Sequence, residues 1–299
     1  MIRDRLNKLK KKLNLLNLDG YVIPKNDDFF SEYSQKDRLK IISNFSGSAG
    51  YAVILKKRNF LFVDGRYSIQ AQIESGKLFE IKKFEEIFNC TLFKGLTLGI
   101  DPKMFTSDQI YKFFSKNSYI KLIDENLVDQ IIPKKISVSK PFYSIEEKFV
   151  GESFQKKIDR TLKIMKKKKS DYLFISAPEN VAWLLNIRGF DNPNSPIPNC
   201  QIIINNKNIY FFSDIKKIKN IKNRINYKKI KFYEFKEFSK VISCLKGNNF
   251  SIDKNSCSIF NKSIILSKFN ILNEVDPCYA LKAIKNKTEI KNMTDAHIA

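Results

Sequence analysis

The stretch "GYAVILKKRNFLFVDG", Gly50 to Gly65, decides the fold. Two apolar runs flank the polar "KKRN", the pattern of two antiparallel strands joined by a tight turn. The chain then runs through Asp64-Gly65-Arg66-Tyr67 into an expected helix over 66–75. Working outward, the same arrangement returns at "CQIIINNKNIYFFSD", Cys200 to Asp214. Helix 3–16 precedes strand "DGYVIP" as helix 153–168 precedes "DYLFIS", while "LGIDP" is echoed by "FSIDK" and "LIDEN" by "NEVDP". Asp19 and Asp171 lie 152 residues apart, Asp64 and Asp214 150, Asp101 and Asp253 152, and Asp124 and Asp276 152. Near-constant spacing over four anchors predicts an α/β fold duplicated in tandem, each copy about 150 residues long.

The remaining elements follow from the same periodicities. Strands are expected at "FEIKKF", "LTLGID" and "YIKLID", and helices at 107–116 and at "NLVDQII", 126–132. The stretch "PKKISVSKPFYSIEEK" has no clean period and carries Pro133 and Pro141, so it reads as a linker. This gives a first domain over 1–133, a linker over 134–150 and a second domain over 151–278. From Tyr279, "YALKAIKNKTEIKNMTDAHIA" reads as one continuous helix with no closing cap, as expected of a chain that stops inside a helix.

Composition narrows the function. Lys and Arg total 54 against 31 acids, a net charge of +23 that favours anionic partners. The lysines are spread along the chain, however, and the dense runs "KLKKKL" and "KIMKKKKSD" sit on helices whose other faces are apolar. They read as solvated faces rather than basic groups interleaved with aromatics, so no nucleic-acid partner is expected. No apolar run is long enough to cross a bilayer, and no membrane partner is expected. The N-terminus is an amphipathic helix with Leu6, Leu9, Leu13 and Leu16 on one face, not a signal peptide, which points to the cytoplasm. Cys90, Cys200, Cys244, Cys257 and Cys278 are scattered without a CxxC pair and read as reduced thiols. The single histidine, His297, excludes Ser–His–Asp catalysis and a histidine-containing pair of metal sites. No catalytic residue, metal ligand or cofactor is therefore expected in this chain.

Three motifs remain. "NFSGSAGYAVI" gathers Gly47 and Gly50 with small residues but lacks the spacing of a dinucleotide loop, so it reads as a tight strand entry or a close backbone approach. Arg66 stands at the carboxyl end of a strand, where open α/β sheets bind ligands; it either tops a surface helix or binds a carboxylate through its planar fork. In "NIRGFDNPNSPIPNC", Gly189 and three prolines hold Arg188, Asp191, Asn192 and Pro193 in a long irregular loop, with an Arg188–Asp191 pair expected to stiffen it.

"ISNFSGSAGYAVI", "FVDGRYSIQA", "LGIDP", "IDENLVDQI", "APENVAWLLNIRGFD" and "AIKNKTEIKNMTDAHI", in this order, resemble the Xaa-Pro aminopeptidases (aminopeptidase P) of the long, three-domain cytosolic type. The resemblance covers nearly the whole chain. It implies two creatinase N-terminal-like domains, each a mixed β-sheet flanked by helices, with residues 279–299 opening the first helix of a pita-bread catalytic domain. In that family two metal ions, usually manganese, activate water to remove a residue that precedes proline. Their ligands lie in the third domain, so this chain alone is expected to be inactive. The arginine of the "DGRY" motif contacts the peptide in that family, which implies a substrate-binding role for Arg66. The loop with Arg188, Asp191, Asn192 and Pro193 is implied to line the substrate entrance or a dimer contact, and the full-length form to be a homodimer. The alternatives are a free-standing creatinase-type binding module that lost its hydrolase domain and a basic nucleic-acid-binding protein.

Overall fold

The computed structural model describes residues 1–89, 91–114, 118–133, 140–222 and 229–298. They form two compact units, Met1–Ser137 and Val138–Ala299.

The first unit opens with α1 (Ile2–Leu15), which buries Leu6, Leu9 and Leu13 on one stripe. β1 (Gly20–Pro24) follows, then α2 (Arg38–Ser43), β2 (Gly50–Leu55), β3 (Asn59–Val63) and α3 (Ser68–Ser75). β4 (Glu80–Lys83), β5 (Thr97–Ile100), α4 (Ser107–Phe113) and β6 (Tyr119–Leu122) complete it. The strands form one sheet in the order β4-β3-β2-β1-β5-β6. β2 pairs antiparallel with both β1 and β3, and the other neighbours are parallel. β1 is buried along its whole length, as a central strand covered on both faces should be. On one face α1 packs Leu6, Leu9 and Leu13 against Tyr21, Ile23, Ala52, Ile54 and Leu61.

The second unit begins with β7 (Tyr143–Ser144) and α5 (Glu147–Val150). α6 (Phe154–Lys167), β8 (Tyr172–Ile175), α7 (Pro178–Leu185), β9 (Ile187–Arg188), β10 (Gln201–Ile204) and β11 (Ile209–Phe212) follow. α8 (Lys219–Lys222), β12 (Ile230–Tyr233), α9 (Phe238–Cys244), β13 (Asn249–Ile252), α10 (Ile259–Leu266) and β14 (Asn270–Asn273) complete the repeat. α11 (Pro277–Ala283) and α12 (Lys287–Ile298) end it. The large sheet has the order β12-β11-β10-β8-β13-β14, and β7 pairs with β9 in a ribbon of their own.

The two sheets are copies, and the hydrogen bonds show it atom by atom. Asp19 accepts from the Thr97 amide at 2.9 Å, and Asp171 accepts from the Asn249 amide at 2.9 Å. The hairpins close in the same way, Leu55 N to Arg58 O and Asn205 N to Asn208 O. Thr106 caps α4 as Ser258 caps α10. The copies differ beside their second helix. In the first unit Lys25 to Asp37 lie between β1 and α2, where the second has only Ser176 and Ala177. In the second unit Asn186 to Cys200 lie between α7 and β10, where the first has Asn44 to Ala49.

Three expectations are corrected. The fourth anchor slips by one residue: Ile123 N donates to Ile100 O where Glu274 N donates to Ile252 O, a spacing of 151 against the 152 that separates Ile100 from Ile252. "NLVDQII" forms turns rather than a helix: Gln130 N reaches Asn126 O, but Ile131 N turns to Val128 O three residues back, so the four-residue ladder is not continued. The segment from Tyr279 is two helices, broken at Ile284, whose backbone is extended (ψ 104°). Asn286 then opens α12 by exchanging hydrogen bonds with Glu289. Of the stretch read as linker, 134–139 lie outside the described residues and 143–150 hold β7 and α5. Cys90 and the end of the helix expected over 107–116 also lie outside them.

Candidate functional site

The turn after β3 is built by Asp64. Its carboxylate accepts from the Arg66 amide at 3.0 Å, capping the single 3-10 turn Gly65–Tyr67 that leads into α3. The same carboxylate takes Arg66 Nε at 2.8 Å and Nη2 at 3.4 Å, and the guanidinium carbon lies 5.6 Å from the centre of the Tyr67 ring. These hydrogen bonds hold the Asp64 carboxyl below the usual carboxylate range and raise the affinity of Arg66 for its proton. The Arg66 side chain is nonetheless 75% exposed. Its fork is aimed by Asp64 and open to solvent, and Nη1 has no hydrogen-bond partner among the described residues. Arg66 therefore stands on the short turn that leads into α3, as an accessible cation paired with Asp64.

The glycine loop supports this turn. Tyr67 Oη lies 2.8 Å from Ser48 Oγ, and the Tyr67 ring meets Phe45 edge-on at 5.8 Å. A Cβ on Gly47 would stand 2.2 Å from the Phe45 ring, so only glycine fits there. Ser46 is tied to Glu74 and Gln70 of α3. The "SGSAG" loop is therefore a brace for Tyr67. The sequence marked the loop and the turn separately but carried no sign of the hydroxyl pair that joins them.

In the second unit, Arg188 and Asp191 do not pair, contrary to expectation. Arg188 Nη1 donates to Ala182 O at 3.1 Å and Ile187 O at 2.8 Å, and burial lowers its pKa. Asp191 is bound instead by Lys217 Nζ and by the Asn199 amide at 2.7 Å. Lys217 reaches the loop from a separate element far along the chain, so the pair was invisible to local reading. Asn192 bridges to Ser195, and Pro193 is exposed at the loop's tip. The described residues thus place Arg66 in one unit and the loop of Arg188, Asp191, Asn192 and Pro193 in the other.

Sequence reasoning missed Lys157. It retains 1% of its surface, donates to Trp183 O at 3.0 Å and Asn186 Oδ1 at 2.7 Å, and stands 4.5 Å from the centre of the Trp183 ring. Burial pushes its pKa down to about 8, partly offset by Glu289 and Glu152.

A pair of metal ions does not fit the described residues. Among them no group of three or more His, Cys, Asp or Glu side chains is arranged to hold an ion. Buried acids are already engaged: Asp101 accepts from Asn126 Nδ2 and the Lys103 amide, and Asp276 from Asn180 Nδ2 and the Cys278 amide. His297 Nδ1 lies 2.7 Å from Met293 O on its own helix. Among the described residues no helix is long and apolar enough to cross a membrane.

Comparison with known proteins now gives this geometry a family. The creatinase/prolidase N-terminal domain matches twice, over residues 5–130 and 133–289. The chain belongs to the creatinase/prolidase N-terminal domain family. Xaa-Pro aminopeptidase 1 of Dictyostelium discoideum is 29% identical over 99% of this chain and 51% of its own length. A probable Xaa-Pro aminopeptidase P of Talaromyces stipitatus is 30% identical over 99% of this chain and 49% of its own. The chain spans about half the length of these relatives. The crystal structure of X-prolyl aminopeptidase from Caenorhabditis elegans, described as a cytosolic enzyme with a di-nuclear active site, shares the fold. Its TM-score is 0.88 at 23% identity, over 99% of this chain and 54% of that one. The duplicated sheets are thus two creatinase-type domains in tandem.

Proposed function

We propose that this chain is the non-catalytic, two-domain N-terminal portion of a cytoplasmic Xaa-Pro aminopeptidase. Residues 1–133 and 151–278 form its two domains, 134–150 join them, and 279–299 lead toward a catalytic domain. Two divalent metals, manganese in this reading, belong to that further domain and activate water there. The chain contributes substrate access and oligomerisation for a homodimer that acts on peptides with proline in second place. Arg66 orients a peptide carboxylate or carbonyl outside the metal site, and the loop of Arg188, Asp191, Asn192 and Pro193 lines an entrance or a subunit contact. The observation that carries this reading is the match to Xaa-Pro aminopeptidases along 99% of the chain but only about half of theirs. The geometry of Arg66 supports it, because an exposed fork already aimed by Asp64 loses little freedom on binding a carboxylate.

The test is an assay of the dialysed chain with manganese and an Ala-Pro peptide. No turnover is expected, and metal-dependent release of the first residue would overturn the reading.

A further inference from the structure

The outward face of α3 is apolar where a surface helix should be polar. Ile69 is 76% exposed and Ile73 78% exposed, and they continue the stripe that begins at Arg66. They border a groove of about 760 Å³ whose opposite wall is Ile81, Lys82 and Lys83 of β4, with Glu86 beyond. β4 is the edge strand of its sheet, so this side of it is open to a further strand.

The second unit shows that the fold does not require this face. Five residues after the capping aspartate, Ile69 of the first unit is answered by Lys219 of the second. There the apolar residues Ile218 and Ile221 turn inward, at 4% and 0% exposure. A lysine at the position of Ile69 serves the copy, and the counterpart of Ile73, residue 223, lies outside the described residues. Apolar side chains grouped beside a groove mark an interaction site more often than chance exposure does.

Charge selects the occupant. Val63 pairs with Lys83 in the parallel ladder, so Lys82 and Lys83 sit at the same end of the groove as Gly65, the residue before Arg66. Two carboxylates stand at that end, Glu86, taken up by Lys82 Nζ at 3.5 Å and the Lys83 amide at 2.8 Å, and Asp64, taken up by Arg66 Nε at 2.8 Å, so three cations there face two anions. The groove therefore offers an apolar trough, an open strand edge and a positively charged end. We propose that it docks an extended peptide, apolar side chains over Ile69, Ile73 and Ile81, and a carboxylate at the end formed by Lys82, Lys83 and Arg66. This deepens the reading of Arg66 as a peptide-orienting cation and takes only its direction along the groove from it.

The test is fluorescence anisotropy of the whole chain with a fluorescein-labelled peptide of alternating Leu and Ser, ending in a free carboxylate. Binding is expected to saturate and to weaken about tenfold in Ile69→Lys with Ile73→Lys, and about threefold when the peptide is amidated. The double variant should keep the wild-type circular dichroism, since the copy carries lysine at the first of these positions. Equal binding by wild type and double variant, or no saturable binding, overturns the proposal. So does a wild-type dimer in light scattering that the double variant makes monomeric, because a second copy would then cover the face. Arg66→Ala separates the two readings. If it weakens binding while the double variant does not, the groove fails and the role of Arg66 stands; the converse leaves the groove and removes Arg66.

Discussion

Arg5 in the first unit and Lys157 in the second occupy the same position of the repeat, 152 residues apart. Arg5 Nη1 donates to Ile41 O at 2.8 Å, and Lys157 Nζ donates to Trp183 O at 3.0 Å. Each carbonyl lies three residues before the left-handed asparagine that ends its helix, Asn44 (φ 72°) or Asn186 (φ 54°). A cation at a helix C-terminus meets the negative end of the helix dipole in both units. The side chains and their surroundings differ. Arg5 is half-buried and stays in touch with water, whereas Lys157 is sealed against Trp183 and Asn186. The duplicated scaffold fixes the contact, and burial lowers the proton affinity of Lys157.

Truncating matched core positions should break the comparison most strongly. Leu9 and Thr161 are equivalent and both fully buried, but Leu9 fills the core while Thr161 Oγ1 bonds Lys157 O. Leu9→Ala is expected to cost about 3 kcal/mol and Thr161→Ala about 1 kcal/mol in urea unfolding. Equal losses would mean that the two helices bury their inner faces alike.

Titration should sharpen it next. The folded pKa of Lys157, about 8, lies below its ordinary 10.5, so between these values the unfolded chain holds more protons. The burial cost is fully present below pH 8 and is relieved as pH rises toward 10.5. Stability should rise by about 2 kcal/mol from roughly pH 7.5 to about 9.5 through this group alone. Lys157→Met should abolish that rise and Arg5→Met should preserve it, as read from urea midpoints at the two pH values. A rise that survives in Lys157→Met would show that some other group carries it.

The smallest effect concerns the matched turns. Asp64 and Asp214 cap equivalent 3-10 turns through the amides of Arg66 and Lys216. Asp64→Ala and Asp214→Ala should each lower the melting temperature by a similar small amount. A markedly greater loss at Asp64 in thermal melts would show that its pairing with Arg66 also stabilises the fold, against the weak worth of exposed ion pairs.

The sequence spelled out what depends on neighbours along the chain. Both hairpins, the leucine stripe of α1 and the aspartates that close each sheet were legible, because alternation and turn chemistry are local. The placement of Arg66 at a strand end was legible for the same reason. Lys157 was not, since a lysine on a lysine-rich helix looks solvated until Trp183 and Asn186 are folded against it. Asp191 was assigned the wrong partner because Lys217 approaches from another element. "NLVDQII" had helical composition, but its ladder stops after one turn, where Ile131 reaches back only to Val128. The exposure of Ile69 and Ile73 had one available signal, the lysine facing Ile69 across the duplication.

The longer connections lie on opposite sides of the second helix in the two copies, Lys25 to Asp37 before α2 and Asn186 to Cys200 after α7. Tandem homologous domains risk exchanging elements as they emerge and fold. Here a segment borrowed from the other copy would arrive with the wrong connection lengths on both flanks, so mismatched spacing guards each half against being built from pieces of its twin.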